Sequence, residues 1–291
     1  MSTFALFFGN RGFFPASLQA EARVELPRVL EEMGHEVLIL DEEATRYGAV
    51  ETPREGQLYS NFLRENTGKY DGVILSLPNF GDENGAVAAL KEANVPIFIQ
   101  AYPDDMDKMG PAQRRDSFCG KFSIMDVFYQ HNLQFTALKP HVIHPNSPRF
   151  KENIDYFDRV CRVVKGFKTM TVGAIGARTS AFKTVRFDEV ALQRHGVTVE
   201  TADLADVIAR VKAVPTGNGA YRDKVNTLQS YTSWEGTPDY ALENIAKLGV
   251  VLDEIIEEYQ MDAIAVRCWL ELQQQLGISP CVLMGQFNTI L

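Results

Sequence analysis

The 291-residue chain is 45% hydrophobic and 23% charged, as in an ordinary globular protein, and its length favours two domains. Its formal net charge of −9 argues against nucleic acid or an anionic membrane surface as a partner, because both bind a basic protein face. The sequence contains no run of about 18 apolar residues, which excludes a predicted transmembrane helix.

The N-terminus and the cysteines favour a cytoplasmic protein. The first residues, MSTFALFFGNRG, lack a basic segment and a small-residue cleavage site, so they predict a first strand and not a signal peptide. The four cysteines lie far apart without a CxxC motif, which is typical of reduced thiols in the cytosol: Cys119, Cys161, Cys268 and Cys281.

The first half of the chain alternates strand and helix patterns. Strands are predicted at Thr3–Phe8, 36–40, 71–77, 95–100 and 133–138. Helices are predicted from Pro15 to a Gly34 C-cap, at 53–66, at 83–93 and near 122–130. Repeated β-α-β units with short connections predict a doubly wound parallel sheet.

A proline-rich stretch, 139–148, is the predicted domain boundary, because three prolines within ten residues interrupt regular structure. The α/β alternation then resumes, with strands predicted at 169–172, 197–201 and Ala263–Val266. Helices are predicted at 156–165, 185–194, 204–211 and 239–259, with a loop at 216–219. We therefore predict two tandem Rossmann or flavodoxin-like α/β domains, 1–145 and 146–291. The second is predicted to be incomplete, because the helical stretch 280–291 is apolar and ends without a polar tail.

The stretch 261–277, MDAIAVRCWLELQQQLG, carries the strongest functional signal. A short apolar strand ends in Arg267, Trp269 and Glu271, and ligands bind outside the carboxyl edge of a parallel sheet. A cation, a flat ring and a carboxylate within five positions suit a hydroxyl-rich small molecule. The alternative interpretation is that Trp269 and Leu270 are core residues and that Glu271 begins a solvated helix.

Two further motifs favour plain structural roles. Gly173-x-x-Gly176 follows a strand but lacks the third glycine and the acidic residue of a dinucleotide site, so we interpret it as a tight turn. His141-x-x-His144 has the spacing of a metal pair on a helix, but Pro140 and Pro145 flank it. We interpret it as part of a boundary loop.

Four motifs in order resemble the L-fucose isomerase-like family, which belongs with the L-fucose and L-arabinose isomerases. They are Asn79-Phe80-Gly81-Asp82-Glu83 after a strand, Arg115-Asp116-Ser117-Phe118-Cys119-Gly120-Lys121, Phe182-x-x-Val185-Arg186-Phe187-x-Glu189, and Arg267-Cys268-Trp269-x-Glu271-Leu272. The resemblance covers essentially the whole chain.

The resemblance implies an intramolecular oxidoreductase that interconverts an aldose and a ketose by moving a proton between C1 and C2 through an enediol. It implies a Mn²⁺ or another divalent cation, a cytosolic homo-oligomer (trimer or hexamer), and a third, C-terminal domain. Glu271 matches the first of two carboxylates that bind the metal and move the proton. The second carboxylate and a histidine would fall beyond Leu291, so an inactive fragment is one expectation for this chain.

The side chains of the second domain suit a sugar: Trp269 would offer a ring face to its C–H surface, and Arg267 a contact to a hydroxyl or carboxylate. In the related isomerases the loops of the first domain approach a neighbouring subunit's site, and Arg11, Asn79 and Phe80 are the predicted sugar-binding residues there. An alternative hypothesis is a sugar-binding or sensor protein, which binds in a cleft between two α/β domains without chemistry.

Overall fold

The computed structural model describes residues 1–288 and divides into two compact units between Lys165 and Gly166. Each unit contains a parallel sheet with helices packed on it, so the predicted α/β class with two tandem parallel sheets is confirmed. Among the described residues, no helix has both the length and the apolar character needed to cross a bilayer.

The first unit is built on a four-stranded parallel sheet in the order β2-β1-β3-β4. Its strands are β1 (Thr3–Phe8), β2 (Glu36–Ile39), β3 (Gly72–Leu77) and β4 (Ile97–Ala101). Its helices are α1 (Ala16–Glu32), α2 (Pro53–Glu65), α3 (Glu83–Leu90), α4 (Ser117–Gln130) and α5 (Pro148–Phe167).

The central strands of this sheet are buried on both faces. Alternate residues of β1 enter different cores: Ala5 and Phe7 join the core that contains residues of α2, α3 and α4, whereas Phe4, Leu6 and Phe8 join the core that contains residues of α1 and α5. This alternation follows from the two-residue period of a strand. It explains why β1 and β3 are nearly continuous apolar runs.

The boundary between the units lies at Lys165 and not at residue 145 as predicted. Helix α5 begins inside the proline-rich stretch, because Pro148 occupies its first position, where a missing N–H costs nothing. Ser147 Oγ accepts a hydrogen bond from the amide of Phe150 at 3.2 Å. Phe150, Ile154 and Phe157 then pack into the core of the first unit, so α5 belongs to that unit.

The predicted fifth strand, 133–138, is wrong. Only Thr136 pairs with β4, through an isolated bridge to Phe98, with bonds from the Ile99 amide to the Thr136 carbonyl and from the Thr136 amide to the Ile97 carbonyl. Pro140, shortly after, has no amide with which to extend a ladder. The sheet of this unit therefore ends at β4.

The second unit is built on a three-stranded parallel sheet in the order β6-β5-β7. Its strands are β5 (Thr171–Ile175), β6 (Thr198–Ala202) and β7 (Ala263–Val266). Its helices are α6 (Glu189–Arg194), α7 (Leu204–Ala213), α8 (Gly219–Tyr231), α9 (Asp239–Glu258), α10 (Glu271–Leu276) and α11 (Cys281–Phe287). Helix α8 was not predicted, since Leu228 is its only buried residue and its apolar pattern is weak. The predicted helical stretch 280–291 corresponds to α11, and residues 289–291 lie outside the described part.

Candidate active site at the carboxyl edge of the second sheet

A cavity of about 790 Å³ lies where the three strands of the second sheet end. Its size is within the range of about 300–1,000 Å³ that is typical of small-molecule sites. One residue after each strand contributes to the wall: Gly176 after β5, Asp203 after β6 and Arg267 after β7. Helices α7 and α10 supply other wall residues, among them Ile208, Lys212, Glu271 and Gln275.

The strand ends are fixed by backbone hydrogen bonds. The amide of Arg267 donates to the Ile175 carbonyl at 2.9 Å, and the amide of Gly176 donates to the Ala202 carbonyl at 2.9 Å. Gly176 has a φ of +80°, and a Cβ there would lie 3.1 Å from the Cβ of Arg267. The chain bends away from β5 at Gly176, whereas Gly173 is a paired residue within β5, so the predicted turn at Gly173-x-x-Gly176 is confirmed at Gly176 and wrong at Gly173.

Arg267 and Glu271 are ion-paired in this cavity. Arg267 Nη2 donates to Glu271 Oε1 at 2.8 Å, and Arg267 Nε donates to the carbonyl of Trp269 at 2.6 Å. The amide of Leu270 donates to Glu271 Oε2 at 2.9 Å. Glu271 is the first residue of α10, where the positive end of the helix dipole favours a carboxylate. Both carboxylate oxygens are therefore held by donors of the same loop.

Trp269 lies outside the described wall of the cavity. Its side chain is 46% exposed, and its ring contacts that of Phe182 with centroids 5.0 Å apart. The structure therefore brings Arg267 and Glu271 together in the cavity and directs Trp269 towards the loop after β5. Exposure of this kind disagrees with the alternative interpretation of Trp269 and Leu270 as core residues, since Leu270 is also exposed.

Asp203 and Lys212 are wall residues that the sequence interpretation missed. Asp203 Oδ1 caps α7 by accepting from the amide of Ala205 at 2.7 Å, and Lys212 Nζ donates to Gln275 Oε1 at 3.2 Å. Asp203 follows β6 as Arg267 follows β7, so the rule about strand ends could have identified it. Lys212 lies more than two turns along α7, and its position depends on the packing of α7 beside α10.

In the first unit the three predicted residues also come together, where β1 and β3 end. Arg11 Nε donates to the carbonyl of Gly81 at 2.8 Å, Arg11 Nη2 pairs with Glu83 at 3.0 Å, and its guanidinium lies 4.5 Å from the centre of the Phe80 ring. Asn79 is fully buried, and its Oδ1 accepts from the amides of Arg11 and Gly81. The amide side chain of Asn79 thus shapes the loop, whereas Arg11 and Phe80 are partly exposed.

The described residues do not fit a resident divalent cation as they stand. No group of three or more His, Cys, Asp or Glu side chains within residues 1–288 is close enough to hold a metal ion. Glu271 is paired with the positive charge of Arg267, which opposes a cation at the same oxygen. The ring of His141 lies against that of Phe122, and its backbone carbonyl accepts a hydrogen bond from Lys121 Nζ at 2.9 Å.

The comparisons with known proteins point to one family. Residues 5–168 match the model of the N-terminal domain of fucose/sulfoquinovose isomerases. The chain is 24% identical over 221 residues to the sulfoquinovose isomerase of Alkalicoccus urumqiensis, and 22% identical over 221 residues to those of Priestia aryabhattai and Priestia megaterium. The aligned part is 76% of this chain and 48% of each relative, so the chain spans about half the length of the curated relatives it matches.

The family match covers more than half of the chain, beginning within β1 and ending just after α5. It confirms the resemblance to this family over the first unit, which contains the motifs at 79–83 and 115–121, and its end agrees with a first unit that continues through α5. The motifs at 182–189 and 267–272 lie outside the matched residues. The chain belongs to the fucose/sulfoquinovose isomerase family of sugar isomerases.

Proposed function

We propose that the chain binds an aldose at the carboxyl edge of its second sheet, and that Glu271 is the carboxylate that moves a proton between C1 and C2 of the sugar. The observation that carries this proposal is the pairing of Glu271 with Arg267 at 2.8 Å in the cavity. Family membership supplies the reaction class, since sugar isomerases interconvert aldoses and ketoses.

The proposed reaction needs a base next to the carbonyl and a cation for the charge that develops. Glu271 removes the proton from C2, and the C2–H electrons form the C1=C2 bond while the C1 carbonyl oxygen becomes negative. Arg267 stabilises that oxyanion. Glu271 then returns the proton to C1, and loss of the proton from the C2 hydroxyl to the C1 oxyanion leaves a C2 carbonyl and a C1 alcohol.

The ion pair gives this site a resting state. With Glu271 Oε1 bonded to Arg267 and Oε2 to the amide of Leu270, the carboxylate is engaged before a sugar arrives. We propose that a sugar oxygen takes over the Arg267 guanidinium on binding and frees Oε1 to act as the base. Arg267 thus changes partner from a carboxylate to the substrate oxygen, which is the atom that becomes negative.

The relatives' names suggest sulfoquinovose as a substrate, and the resemblance suggests L-fucose and L-arabinose, so these three sugars define the proposed substrate class. A Mn²⁺ or another divalent cation, assembly as a homo-oligomer (trimer or hexamer) and a cytoplasmic location stay predictions. For the metal, the described carboxylates of the cavity wall are Glu271, which is paired with Arg267, and Asp203, which caps α7.

The test is exchange of the C2 hydrogen in D₂O, followed by NMR, for each of the three sugars with this chain and with Glu271→Gln, in the presence and absence of Mn²⁺. Exchange is more sensitive than net ketose formation, because it records every proton abstraction. We expect exchange with the parent chain and a loss of at least about 100-fold with Glu271→Gln, the order of magnitude for removing a general base. Equal exchange by both proteins would exclude Glu271 as the base.

A non-catalytic sugar-binding or sensor protein is the second candidate, and the engaged state of both Glu271 oxygens favours it. The same samples decide between the two. Sugar-dependent thermal stabilisation without C2 exchange, with and without Mn²⁺, would favour binding alone. Exchange that requires Glu271 would favour the isomerase.

A further inference from the structure

We propose that Phe182 and Trp269 together form an aromatic binding surface for the apolar C–H face of the sugar, and that Arg178 is the positioning residue that holds this surface in place. The inference rests on the proposed function, because it places the surface beside the reacting carboxylate. It assigns a role to the loop between β5 and α6.

The two rings are exposed although they touch. Phe182 is 38% exposed and Trp269 is 46% exposed, with ring centroids 5.0 Å apart and ring planes tilted by 49°. A tilted pair leaves part of each ring face open, whereas a stacked pair would cover one face of each ring. Aromatic side chains that stay exposed while they contact each other offer flat apolar area to a ligand, which is why we assign this pair a binding role.

The backbone of Trp269 is attached to the proposed catalytic pair. Trp269 is two residues from both Arg267 and Glu271, and Arg267 Nε donates to the Trp269 carbonyl at 2.6 Å. The guanidinium that binds Glu271 therefore also fixes the backbone of Trp269. Neither ring is among the residues that line the cavity, so the proposal requires that a sugar whose C1 and C2 reach Glu271 extends past Arg267 onto the adjoining loop, where its C–H groups meet the aromatic faces.

Arg178 holds the loop that presents Phe182. Its Nη1 lies 3.0 to 3.2 Å from three backbone carbonyl oxygens, those of Thr179, Ser180 and Phe182. One guanidinium thus ties together a connection whose side chains are otherwise largely exposed. Without Arg178 these carbonyls would turn to water, and Phe182 would lose its fixed position against Trp269.

The physical reason for an aromatic surface is the shape of the ligand. A pyranose carries hydroxyl groups at its edge and C–H groups on its faces, so its recognition needs polar partners and a flat apolar partner. The cavity supplies the polar partners through Asp203, Arg267 and Glu271, and the Phe182–Trp269 pair supplies the flat one.

The experiment uses Trp269 as its own reporter. The chain has two tryptophans, and Trp234→Phe leaves Trp269 as the single one. In this background, Trp269 emission is recorded during titration with L-fucose and with sulfoquinovose, with glycerol as the control solute, for the parent, Phe182→Ala, Phe182→Tyr, Arg178→Ala and Arg178→Lys. Phe187→Ala is the matched control, because Phe187 is exposed in the same connection.

We expect one of the two sugars to change Trp269 emission, with glycerol inactive. The apparent Kd should rise about tenfold or more, or 1.4 kcal/mol, in Phe182→Ala and Arg178→Ala, and should recover in Phe182→Tyr and partly in Arg178→Lys. Both alanine variants should also shift the ligand-free Trp269 emission to the red, and Phe187→Ala should match the parent.

A sugar that binds the parent and Phe182→Ala equally well would overturn the aromatic surface and leave the proposed function intact. Weaker binding in Phe182→Ala with no effect of Arg178→Ala on Kd or emission would overturn the role of Arg178. If neither sugar changes Trp269 emission but sugar-dependent C2 exchange occurs, the surface is overturned and the isomerase stands. If neither sugar binds and neither shows C2 hydrogen exchange, the aromatic surface and the proposed isomerase function are both overturned.

Discussion

The carboxylate of Asp262 accepts a hydrogen bond from the amide of Thr171 at 2.8 Å, and the amide of Asp262 donates to the Thr171 carbonyl at 2.8 Å. Asp71 makes the same two contacts with Thr3 in the first unit, at 2.9 and 2.8 Å. In each sheet an aspartate thus fixes the start of one strand against the start of its neighbour. In the second sheet that register determines where Arg267 emerges.

We expect Asp262→Ala to lower the free energy of unfolding by about 1 kcal/mol, because it removes the acceptor of the Thr171 amide. Asp262→Asn keeps an acceptor oxygen and should cost less. Urea unfolding followed by tryptophan fluorescence reports on the second unit, because Trp234 and Trp269 both lie in it. Equal losses in the two variants would show that the hydrogen bond is not the cause.

Arg267→Gln should separate stability from function. The ion pair with Glu271 is partly exposed, with side chains 25% and 42% accessible, so its loss should cost less than about 1 kcal/mol of unfolding free energy. The proposed oxyanion role predicts a fall in C2 exchange of about 100-fold or more. If Arg267→Gln lowered the free energy of unfolding and the rate of C2 exchange only slightly, the role of Arg267 would be structural alone.

The carboxyl edge of the second sheet could be predicted because its signal is local. A short apolar strand that ends in Arg267 and Glu271 has one plausible placement in a parallel sheet. Asp203 could have been predicted by the same rule. The contact between Phe182 and Trp269 could not, since it joins residues far apart in sequence through a loop without a regular pattern.

The errors in the fold have similar physical causes. Pro148 was interpreted as an interruption, but at the first position of α5 it is compatible with a helix, and tertiary packing of Phe150 decides its unit. The stretch 133–138 has strand-like residues, yet only Thr136 finds backbone partners in β4. Intrinsic strand propensity is a property of one segment, whereas strand pairing and burial also depend on the segment against which it packs.

Lys121 predicts a pH dependence of stability. Its side chain is buried, Nζ donates to the His141 carbonyl, and burial lowers its pKa from 10.5 to about 8. Below pH 8 the Lys121 ammonium is charged in both the folded and the unfolded chain, so the free energy of folding includes the full cost of desolvating this charge. Between pH 8 and 10.5 the folded chain loses the proton first, so stability attributable to Lys121 rises with pH.

Comparison with Lys121→Met isolates this residue from other groups that titrate above pH 8. Relative to that variant, the parent should gain roughly 2 kcal/mol of unfolding free energy between pH 8 and pH 10, as measured by urea unfolding. If the free energies of unfolding of the two proteins changed with pH in parallel, the lowered pKa of the buried Lys121 ammonium would be contradicted.

Tyr59→Phe should not destabilise the chain. The Tyr59 ring packs edge-on against Phe7 with centroids 5.1 Å apart, but its hydroxyl is buried and has no hydrogen-bond partner within residues 1–288. Removing an unsatisfied buried hydroxyl should raise the free energy of unfolding by about 1 kcal/mol. Tyr129→Phe, at an exposed position, should leave it unchanged. A loss of stability in Tyr59→Phe would indicate a bound water as partner.

The cysteines should differ sharply in reactivity. Cys119 and Cys281 are exposed, whereas Cys161 is buried, and burial, assisted by Asp71 and Asp158, raises its pKa to about 12. Native protein should therefore label rapidly with Ellman's reagent at Cys119 and Cys281, and at Cys161 only after denaturation. Cys161→Ser should leave the rapid count unchanged and Cys119→Ser should lower it by one. Rapid labelling of Cys161 in native protein would contradict its burial.

The position of α5 has a consequence for synthesis of the chain. The ring of Phe157 contacts those of Phe4 and Phe98, so a residue of the first strand cannot complete its packing until a residue more than 150 positions later has been synthesised. When only the four strands have left the ribosome, the face of the sheet that α5 covers in the folded unit is exposed to chaperones and to other nascent chains. The core on this face is completed by α5, so the first unit cannot finish folding during synthesis until the helix that begins at Pro148 has emerged.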